Sequence, residues 1–359
     1  MKTLVIPSKI HDYHVTIDAS MASLKKVCSE NIGAVFFIDK NVFAIYRDFF
    51  SSIPNDRVHI LNPVEDEKNI DTVCDIYRFL LGFNDRRNLH IVSIGGGIIQ
   101  DLTGFTASTL YRGVRWTFFP TTLLAQADSC VGSKTSLNFQ QYKNTLGTFY
   151  PPHEVYICTP FLKSLSAIEI DSGIGEIIKF LLLDDTKKVS LTHISSLVKK
   201  IKQDASFGAA LLETHRVKQS YISQDEFDFG KRNLFNYGHC FGHALESSSD
   251  YRIPHGIAVS IGMVFANALS VSRGYIREEL SNEINELLLF PNINITLLSQ
   301  YFNSTALIRA MRQDKKRTGK FLSIILLSSD DFTAAKIDDL SDVEFVDVLE
   351  KVVNILRVK

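Results

Sequence analysis

Several common sequence signals are missing from this chain of 359 residues. Its five cysteines are odd in number and show no C-x-x-C spacing, which argues against a disulfide framework or a cysteine zinc site. The 39 basic residues balance 40 acidic ones, so nucleic-acid binding through bulk positive charge is excluded. No apolar run approaches the roughly 18 residues of a spanning helix, and the run before Pro7 is too short for a signal peptide. We therefore expect a reduced, soluble, cytoplasmic protein without nucleic-acid or membrane partners.

The composition is that of a globular protein, with 45% hydrophobic and 22% charged residues. Apolar runs at 34–38, 58–61, 89–94 and 116–119 resemble buried strands, and helical spacing covers 70–81. This alternation predicts an α/β fold with a Rossmann-like, doubly wound parallel sheet in the first half.

The second half favours helices. Its expected elements are helices at 166–183, 209–223 and 257–271, a strand or hairpin at 321–327, and a closing helix at 343–358. The character changes after Pro151 and Pro152. We therefore expect two domains, an α/β domain over 1–155 and a mainly helical domain over 156–359.

A glycine triplet follows the expected strand at 89–94. Glycines at such a turn let a diphosphate approach the backbone, and the next helix offers its N-terminus to the negative charge. The spacing around 95–97 is not G-x-G-x-x-G, and a tight strand-to-helix turn would explain it equally well. Asp39 follows an earlier strand and suits either a nucleotide ribose or the cap of a helix.

Histidines are concentrated in one segment of the second half, where His239, His243 and His255 occur. Because the first two are four residues apart, a helix places them on one face, as in metal-ligand pairs. The pattern is not H-E-x-x-H, which excludes a zincin protease. Glu176 lies in an otherwise apolar helical segment and needs a metal or a cationic partner. Histidines packed in a helical core are the alternative.

Basic residues recur near these motifs. They are Arg112, Lys134, Lys143, Lys179, Lys218, Arg232, Lys315 and Lys316. Any one of them alone is more often a surface charge, but the set indicates a phosphorylated, acidic substrate.

Taken together and in this order, six segments resemble the 3-dehydroquinate synthase family and, more broadly, the sugar phosphate cyclases. The segments are GGGIIQDLTGF (95–105), YRGVR (111–115), PTTLL (120–124), ADSCVGSK (127–134), GEIIK (175–179) and GHCFGHALE (238–246). The resemblance extends from about residue 39 to 316. It implies a two-domain fold, NAD and a divalent metal (zinc or cobalt) bound between the domains, a small sugar phosphate substrate, and a homodimer.

The resemblance also assigns residues. The implied metal ligands are Glu176, His239 and His255. The implied NAD-binding residues are Asp39, Glu67, Lys68, Gly97, Asp101, Thr121, Thr122, Lys134, Lys143, Phe161, Leu162 and Ser164. The phosphate of the substrate would contact Arg112, Lys134, Asn144, His243 and Lys316. The carboxylate of the substrate would contact Lys218, Arg232 and Asn236. The implied catalytic residues are Asp128, Lys134, Lys179, His243 and Asn236. Whether Arg112 serves its own subunit or a partner's stays open.

The implied reaction converts 3-deoxy-D-arabino-heptulosonate 7-phosphate to 3-dehydroquinate and phosphate, a step of the shikimate pathway. NAD removes a hydride from a metal-bound alcohol, phosphate leaves by elimination, the hydride returns, and an intramolecular aldol step closes the ring. The chain departs from the family at Gln100, Ser133, Asp228, Cys240 and Ile257. Ile257 replaces a glutamate beside a metal ligand, which we expect to weaken the orientation of the metal.

Three other functions compete. A related cyclase would make an amino-dehydroquinate, an inosose or a valiolone, and one without a carboxylate substrate would lose the pair Lys218 and Arg232. A glycerol dehydrogenase-like oxidoreductase with NAD and a metal would form net NADH. A non-enzymatic relative would bind NAD or a sugar phosphate without turnover, and only the changes at Ser133 and Ile257 support it.

Overall fold

The computed structural model describes residues 1–30, 33–84, 88–140, 142–312 and 321–359. The chain divides into two compact units, unit 1 (Met1–Leu165) and unit 2 (Ser166–Lys359). The division lies later than the expected boundary at 155, because a strand at Glu154–Cys158 pairs with strands of the first sheet.

Unit 1 alternates strands with helices. Its strands are β1 (Lys2–Ile6), β2 (Tyr13–Asp18), β3 (Val35–Asp39), β4 (Val58–Leu61), β5 (His90–Gly95), β6 (Arg115–Pro120), β7 (Lys134–Phe139), β8 (Tyr142–Phe149) and β9 (Glu154–Cys158). Its helices are α1 (Ala22–Glu30), α2 (Lys40–Ile45), α3 (Ile70–Leu80) and α4 (Gly97–Thr109). The four strands and the helix over 70–81 expected in this half are therefore confirmed.

The main sheet of unit 1 has the strand order β1-β2-β9-β6-β5-β3-β4 within the described residues. All neighbouring strands are parallel except β1, which pairs antiparallel with β2. The central strands are continuous apolar runs, and side chains such as Phe36, Ile94 and Phe119 are buried in the core. Since parallel strands end at one edge, the segments after β3, β5 and β6 meet there.

A second, antiparallel pair joins β7 to β8 and packs against α4. The hydrophobic pattern of the sequence does not predict this hairpin, because its strands are rich in polar residues and lie largely at the surface. Thr135 and Leu137 of β7 are its buried residues. The hairpin carries three of the expected site residues, Lys134, Lys143 and Asn144.

Unit 2 is mainly helical, as expected. Its helices are α5 (Ala167–Leu182), α6 (Leu191–Asp204), α7 (Gly208–Ile222), α8 (His239–Ser248), α9 (His255–Ser272), α10 (Glu278–Ile284), α11 (Ser304–Arg312) and α12 (Asp342–Ile355). The segment at 321–327 is a hairpin strand, β10 (Leu322–Leu327), paired with β11 (Ala334–Leu340). Among the described helices, α9 alone has the length and composition to cross a membrane, but 78% of that stretch is buried inside the protein. This burial is typical of a core helix.

Candidate active site

The side chains of Glu176, His239, His243 and His255 converge in unit 2. Glu176 Oε1 lies 3.3 Å from Nε2 of His239 and 3.4 Å from Nε2 of His255. Ring nitrogens of the three histidines all lie within 4.8 Å of one another. Glu176 is wholly buried and His239 is nearly so, whereas His243 forms the exposed edge of the cluster. These four residues are called the histidine–glutamate cluster below.

Close helix packing brings these residues together. A Cβ on Gly175 would lie 2.2 Å from the carbonyl oxygen of Gly256, and one on Gly256 would lie 1.7 Å from that of Ser172. Because glycine lacks this atom, α5 and α9 approach until their backbones touch, with Glu176 and His255 adjacent to the contact. The Oγ of Ser172 also accepts a hydrogen bond from the Gly256 amide at 3.0 Å.

Two further residues orient the histidine rings. Glu246 Oε2 lies 3.1 Å from Nδ1 of His255, and the carbonyl of Tyr237 lies 3.3 Å from Nδ1 of His239. Each contact fixes one ring nitrogen and leaves Nε2 directed at Glu176. Glu246 belongs to the segment GHCFGHALE (238–246), but the sequence predicts no role for it. Its spacing on α8, three residues after His243 and seven after His239, is the signal that could have found it.

The electrostatics of the cluster follow from burial and from its charges. Burial alone would raise the pKa of Glu176, but the Lys179 ammonium, 2.5 Å away, and His239 hold that pKa well below its usual range. Burial and then Lys179 lower the pKa of His239, so this ring is neutral near pH 7. Burial would also lower the pKa of His255, but Glu246 and Glu176 outweigh it and raise that pKa to about 10.

The cluster fits a divalent metal. Zinc binds imidazole nitrogen and carboxylate oxygen, and catalytic zinc sites use three protein ligands. A carboxylate or carbonyl commonly accepts a hydrogen bond from the ring nitrogen of each ligand histidine that does not bind the metal. Glu176, His239 and His255 supply such a set, and two of the three are buried. A buried carboxylate among imidazoles is also stabilised by a nearby positive charge, because a buried charge without a partner is unfavourable.

The other expected residues of unit 2 lie on neighbouring elements. Lys179 of α5 and Lys218 of α7 are each 2% exposed, and Arg232 is 8% exposed. Arg232 and Asn236 belong to a turn of 3-10 helix, Lys231–Asn236. The Arg232 side chain donates to the Glu226 carbonyl and its amide donates to Asp225 Oδ2 at 3.0 Å. Lysine and arginine are the residue types that bind an acidic ligand, and all three are buried here.

In unit 1, the glycine triplet forms the turn from β5 into α4, with Gly96 at the N-cap and Gly97 in the first turn. A Cβ on Gly95 would clash with Ile99, and one on Gly96 would lie 3.1 Å from Thr122 Cγ2. Asp39 ends β3 and caps α2 by accepting from the amides of residues 41 and 42 at 2.8 Å and 3.3 Å. The capping alternative is thus observed for Asp39, at the edge of the sheet where a ribose would lie.

A polar network joins α4 to the hairpin. Lys68 Nζ lies 2.6 Å from Asp101 Oδ2 and donates to Asn144 Oδ1 at 2.7 Å. Ser136 donates through its amide to Asp101 at 2.9 Å and through its hydroxyl to Asn144 at 2.9 Å. Burial raises the pKa of Asp101 even though Lys68 lowers it. Lys143 lies 3.5 Å from Glu65, which reaches the same network through Asn138.

The remaining expected residues of unit 1 are placed as follows. Glu67 accepts a hydrogen bond from Asn62 at 2.9 Å, and two threonines, Thr121 and Thr122, follow β6. The 3-10 turn after β9 contains Phe161, Leu162 and Ser164, and a π-helical turn contains Asp128. Lys134 is exposed at the start of β7, and Arg112 has a left-handed backbone with φ of 67°. Tyr46 donates to Ser164 Oγ at 3.2 Å. Lys316 lies outside the described residues.

Some departures from the family pattern have structural explanations. Gln100 is buried and exchanges two hydrogen bonds with Ser129, which tie α4 to the turn that carries Asp128. Ile257 is wholly buried in α9. The expected weakening of the metal site at Ile257 stays a prediction; the carboxylate that contacts His255 in this structure is Glu246, from another helix. Nothing in the structure explains Ser133 or Cys240.

Comparisons with known proteins place the whole chain among its relatives. The model of the 3-dehydroquinate synthase N-terminal domain matches residues 58–172, and that of the C-terminal domain matches residues 173–317. The 3-dehydroquinate synthase of Clostridium tetani is 34% identical over 326 residues, which cover 88% of this chain and 86% of that protein.

Two solved structures share the fold. A 2-epi-5-epi-valiolone synthase from Streptomyces hygroscopicus, with NAD+ and Zn2+ bound, has a TM-score of 0.83 at 23% identity and covers 98% of this chain and 99% of its own. A 2-deoxy-scyllo-inosose synthase, complexed with carbaglucose-6-phosphate, NAD+ and Co2+, has a TM-score of 0.80 at 24% identity and covers 98% and 100%. From the family models and the curated relative, we conclude that this chain belongs to the 3-dehydroquinate synthase family.

Proposed function

We propose that this protein is a 3-dehydroquinate synthase, a phosphorus–oxygen lyase that uses NAD and a divalent metal. The observation that carries the proposal is the burial of Lys218 and Arg232 in the unit that holds the histidine–glutamate cluster. A carboxylated substrate needs cationic partners of this kind, whereas a cyclase of uncarboxylated sugars would be expected to lose the pair. Relatives of the same name, at 30–35% identity, support the same substrate.

In unit 2, each residue has a separate task. Lys218 and Arg232 bind the substrate carboxylate, and Asn236 donates a hydrogen bond beside them. Lys179 holds a substrate hydroxyl against Glu176, its ion-pair partner at 2.5 Å. Glu176, His239 and His255 hold the metal, and His243, at the exposed edge, faces the substrate. A bound metal would polarise the substrate oxygen, and a bound NAD would take up a hydride from the carbon that bears this oxygen and later return it.

In unit 1, the glycine turn and the polar network bind the nucleotide. The backbone amides that begin α4 face a diphosphate without obstruction by side chains, because residues 95–97 are glycines. Lys68 and Asp101 fix the loop beside it, and Asp39 lies at the neighbouring strand end for the ribose. Thr121, Thr122, Lys143 and the turn at Thr159–Ser164 complete the nucleotide site.

We assign the substrate phosphate to Arg112, Lys134, Asn144, His243 and Lys316. Lys134 is exposed at the start of β7, on the hairpin that also carries Asn144. Together with Arg112 they stabilise the negative charge that develops on the leaving phosphate. Asp128 supports a substrate hydroxyl. The homodimer and the cytoplasmic location expected from the sequence remain predictions.

A phosphate-release assay tests the proposal. The protein is loaded with NAD and zinc and given 3-deoxy-D-arabino-heptulosonate 7-phosphate, and free phosphate and NADH absorbance are followed together. We expect phosphate release that a chelator abolishes, with no net NADH. Sustained NADH formation from glycerol would instead indicate the dehydrogenase alternative. Absence of phosphate release from protein shown to hold NAD and zinc would overturn the proposal.

A further inference from the structure

Three aromatic rings of unit 2 lie behind the candidate substrate residues. Phe180 of α5, 1% exposed, meets Phe235 edge-on with centroids 4.7 Å apart and an interplanar angle of 87°. The Phe235 ring lies 4.3 Å from that of Tyr221 of α7. These three residues are called the ring stack below. Because α5, α7 and the turn Lys231–Asn236 each supply one ring, the stack joins every described element of this unit that carries an expected substrate cation.

Two ammonium groups converge on one ring of this stack. Nζ of Lys179 lies 4.2 Å from the centroid of Phe180, and Nζ of Lys218 lies 5.1 Å from it. Both distances are within the range of about 6 Å in which a cation is attracted to an aromatic face. The two lysines come from different helices, so this ring is a contact that they share.

The burial of these lysines explains why the ring matters. An ammonium group removed from water loses hydration, and a four-carbon stem leaves its position poorly fixed. Glu176 meets Lys179, but a carboxylate that also binds a metal has less charge to offer an ammonium group. An aromatic face attracts cations through its quadrupole and binds neither a proton nor a metal at this site.

We propose that Phe180 is a positioning residue, whose ring holds the ammonium groups of Lys179 and Lys218 where the substrate meets them. The inference rests on the proposed function, which assigns these lysines to a substrate hydroxyl and to the carboxylate. An aliphatic side chain of similar volume would fill the space but would not attract the cations.

Fluorinated phenylalanines at position 180 test the electrostatic part directly. Successive fluorines weaken the negative face of the ring and leave its shape nearly unchanged. In the zinc- and NAD-loaded enzyme, kcat/KM for the heptulosonate phosphate should fall stepwise, by roughly tenfold or more at three fluorines, as expected for a desolvated cation–π contact. The loss of Lys218 attraction should raise KM, and that of Lys179 should lower kcat.

Phe345 provides the matched control. It is wholly buried in the same unit and packs near Phe241 and Phe265. The same fluorine series at Phe345 should leave kcat/KM unchanged. Equal losses at both positions, or kcat/KM at position 180 that does not vary with fluorine number, would overturn the proposal in favour of a packing role.

A spectroscopic measurement separates this inference from the proposed function. In protein with 13C-labelled lysine, the Cε protons of Lys218 should show an upfield ring-current shift that fluorination changes and Phe180→Leu removes. If the parent enzyme fails to turn over the heptulosonate phosphate but the ring-current shift is present, the proposed function fails and the placement of Lys218 stands. If the shift is absent from the folded parent protein, the ring does not hold Lys218 and the inference fails.

Discussion

The contact between Glu246 and His255 makes a specific prediction about zinc affinity. Glu246→Gln keeps the size of the side chain and removes its charge, at a position where Oε2 lies 3.1 Å from Nδ1 of His255. Loss of such an orienting partner typically weakens metal binding by about 10–100-fold. The same carboxylate, however, is the main group that raises the pKa of His255 to about 10, so zinc must displace a proton from the parent protein. The variant avoids part of that cost, so we expect the lower end, a loss of about tenfold, or about 1.4 kcal/mol, at pH 7.

Competition with a chelator of known affinity measures this change. Apo protein is titrated with zinc at several values of pH between 7 and 9. Because His255 stays protonated in the parent up to about pH 10, its zinc affinity should rise with pH, and the rise should be less steep in the variant. Calorimetry in buffers of different ionisation enthalpy should show that zinc binding releases fewer protons from Glu246→Gln than from the parent protein. Glu350→Gln, exposed on α12, is the control. Equal affinity and equal proton release in Glu246→Gln and the parent would refute the reasoning.

Three further predictions concern packing, substrate binding and acid stability. Gly175→Ala places a Cβ 2.2 Å from a backbone oxygen of α9, so it should lower the free energy of unfolding by about 1–3 kcal/mol in urea titrations and weaken zinc binding. Gly208→Ala is the control, because nothing lies within 4 Å of its added Cβ, and it should change neither quantity. Arg232→Ala should raise KM for the heptulosonate phosphate by about tenfold or more and leave the Kd of NAD unchanged; equal effects on both would contradict the carboxylate assignment. Burial, and after it His11 and Arg115, lowers the pKa of His153 to about 4, whereas its pKa in the unfolded chain is about 6.5. The contribution of the neutral ring to folding stability is therefore complete above pH 6.5 and is lost as pH falls toward 4. His153→Gln should therefore reduce the loss of stability between pH 7 and pH 5 by about 1 kcal/mol, and an unchanged loss would exclude this histidine as the cause.

The strands and helices that the sequence predicts well are those with a strong apolar pattern. The run at 34–38 and the helical spacing over 70–81 appear as β3 and α3, because continuous apolar strands and one-sided apolar helices have a single way to be buried. The β7–β8 hairpin was not predicted, since its exposed strands show no apolar alternation, and its position depends on contacts with α4 and Lys68 far away in the sequence.

The candidate site follows the same division. Histidines at helical spacing and a lone acidic residue in an apolar helix predicted the members of the histidine–glutamate cluster, because those residue types are costly to bury without a partner. The contacts of Glu246 with His255 and of Phe180 with Lys179 and Lys218 depend on which side chains meet once the chain is folded. The spacing of residues in one sequence indicates such contacts only weakly. The close backbone approach of Gly175 and Gly256 likewise becomes evident only in the folded structure.

The most direct test of the central claim is the identity and yield of the product. The protein loaded with NAD and zinc is incubated with 3-deoxy-D-arabino-heptulosonate 7-phosphate, and phosphate and the carbocyclic product are quantified together by colorimetry and NMR. The account predicts one 3-dehydroquinate for each phosphate released, with NAD unchanged at the end. Phosphate without a carbocycle, or a carbocycle formed only from a sugar phosphate that lacks a carboxylate, would contradict it.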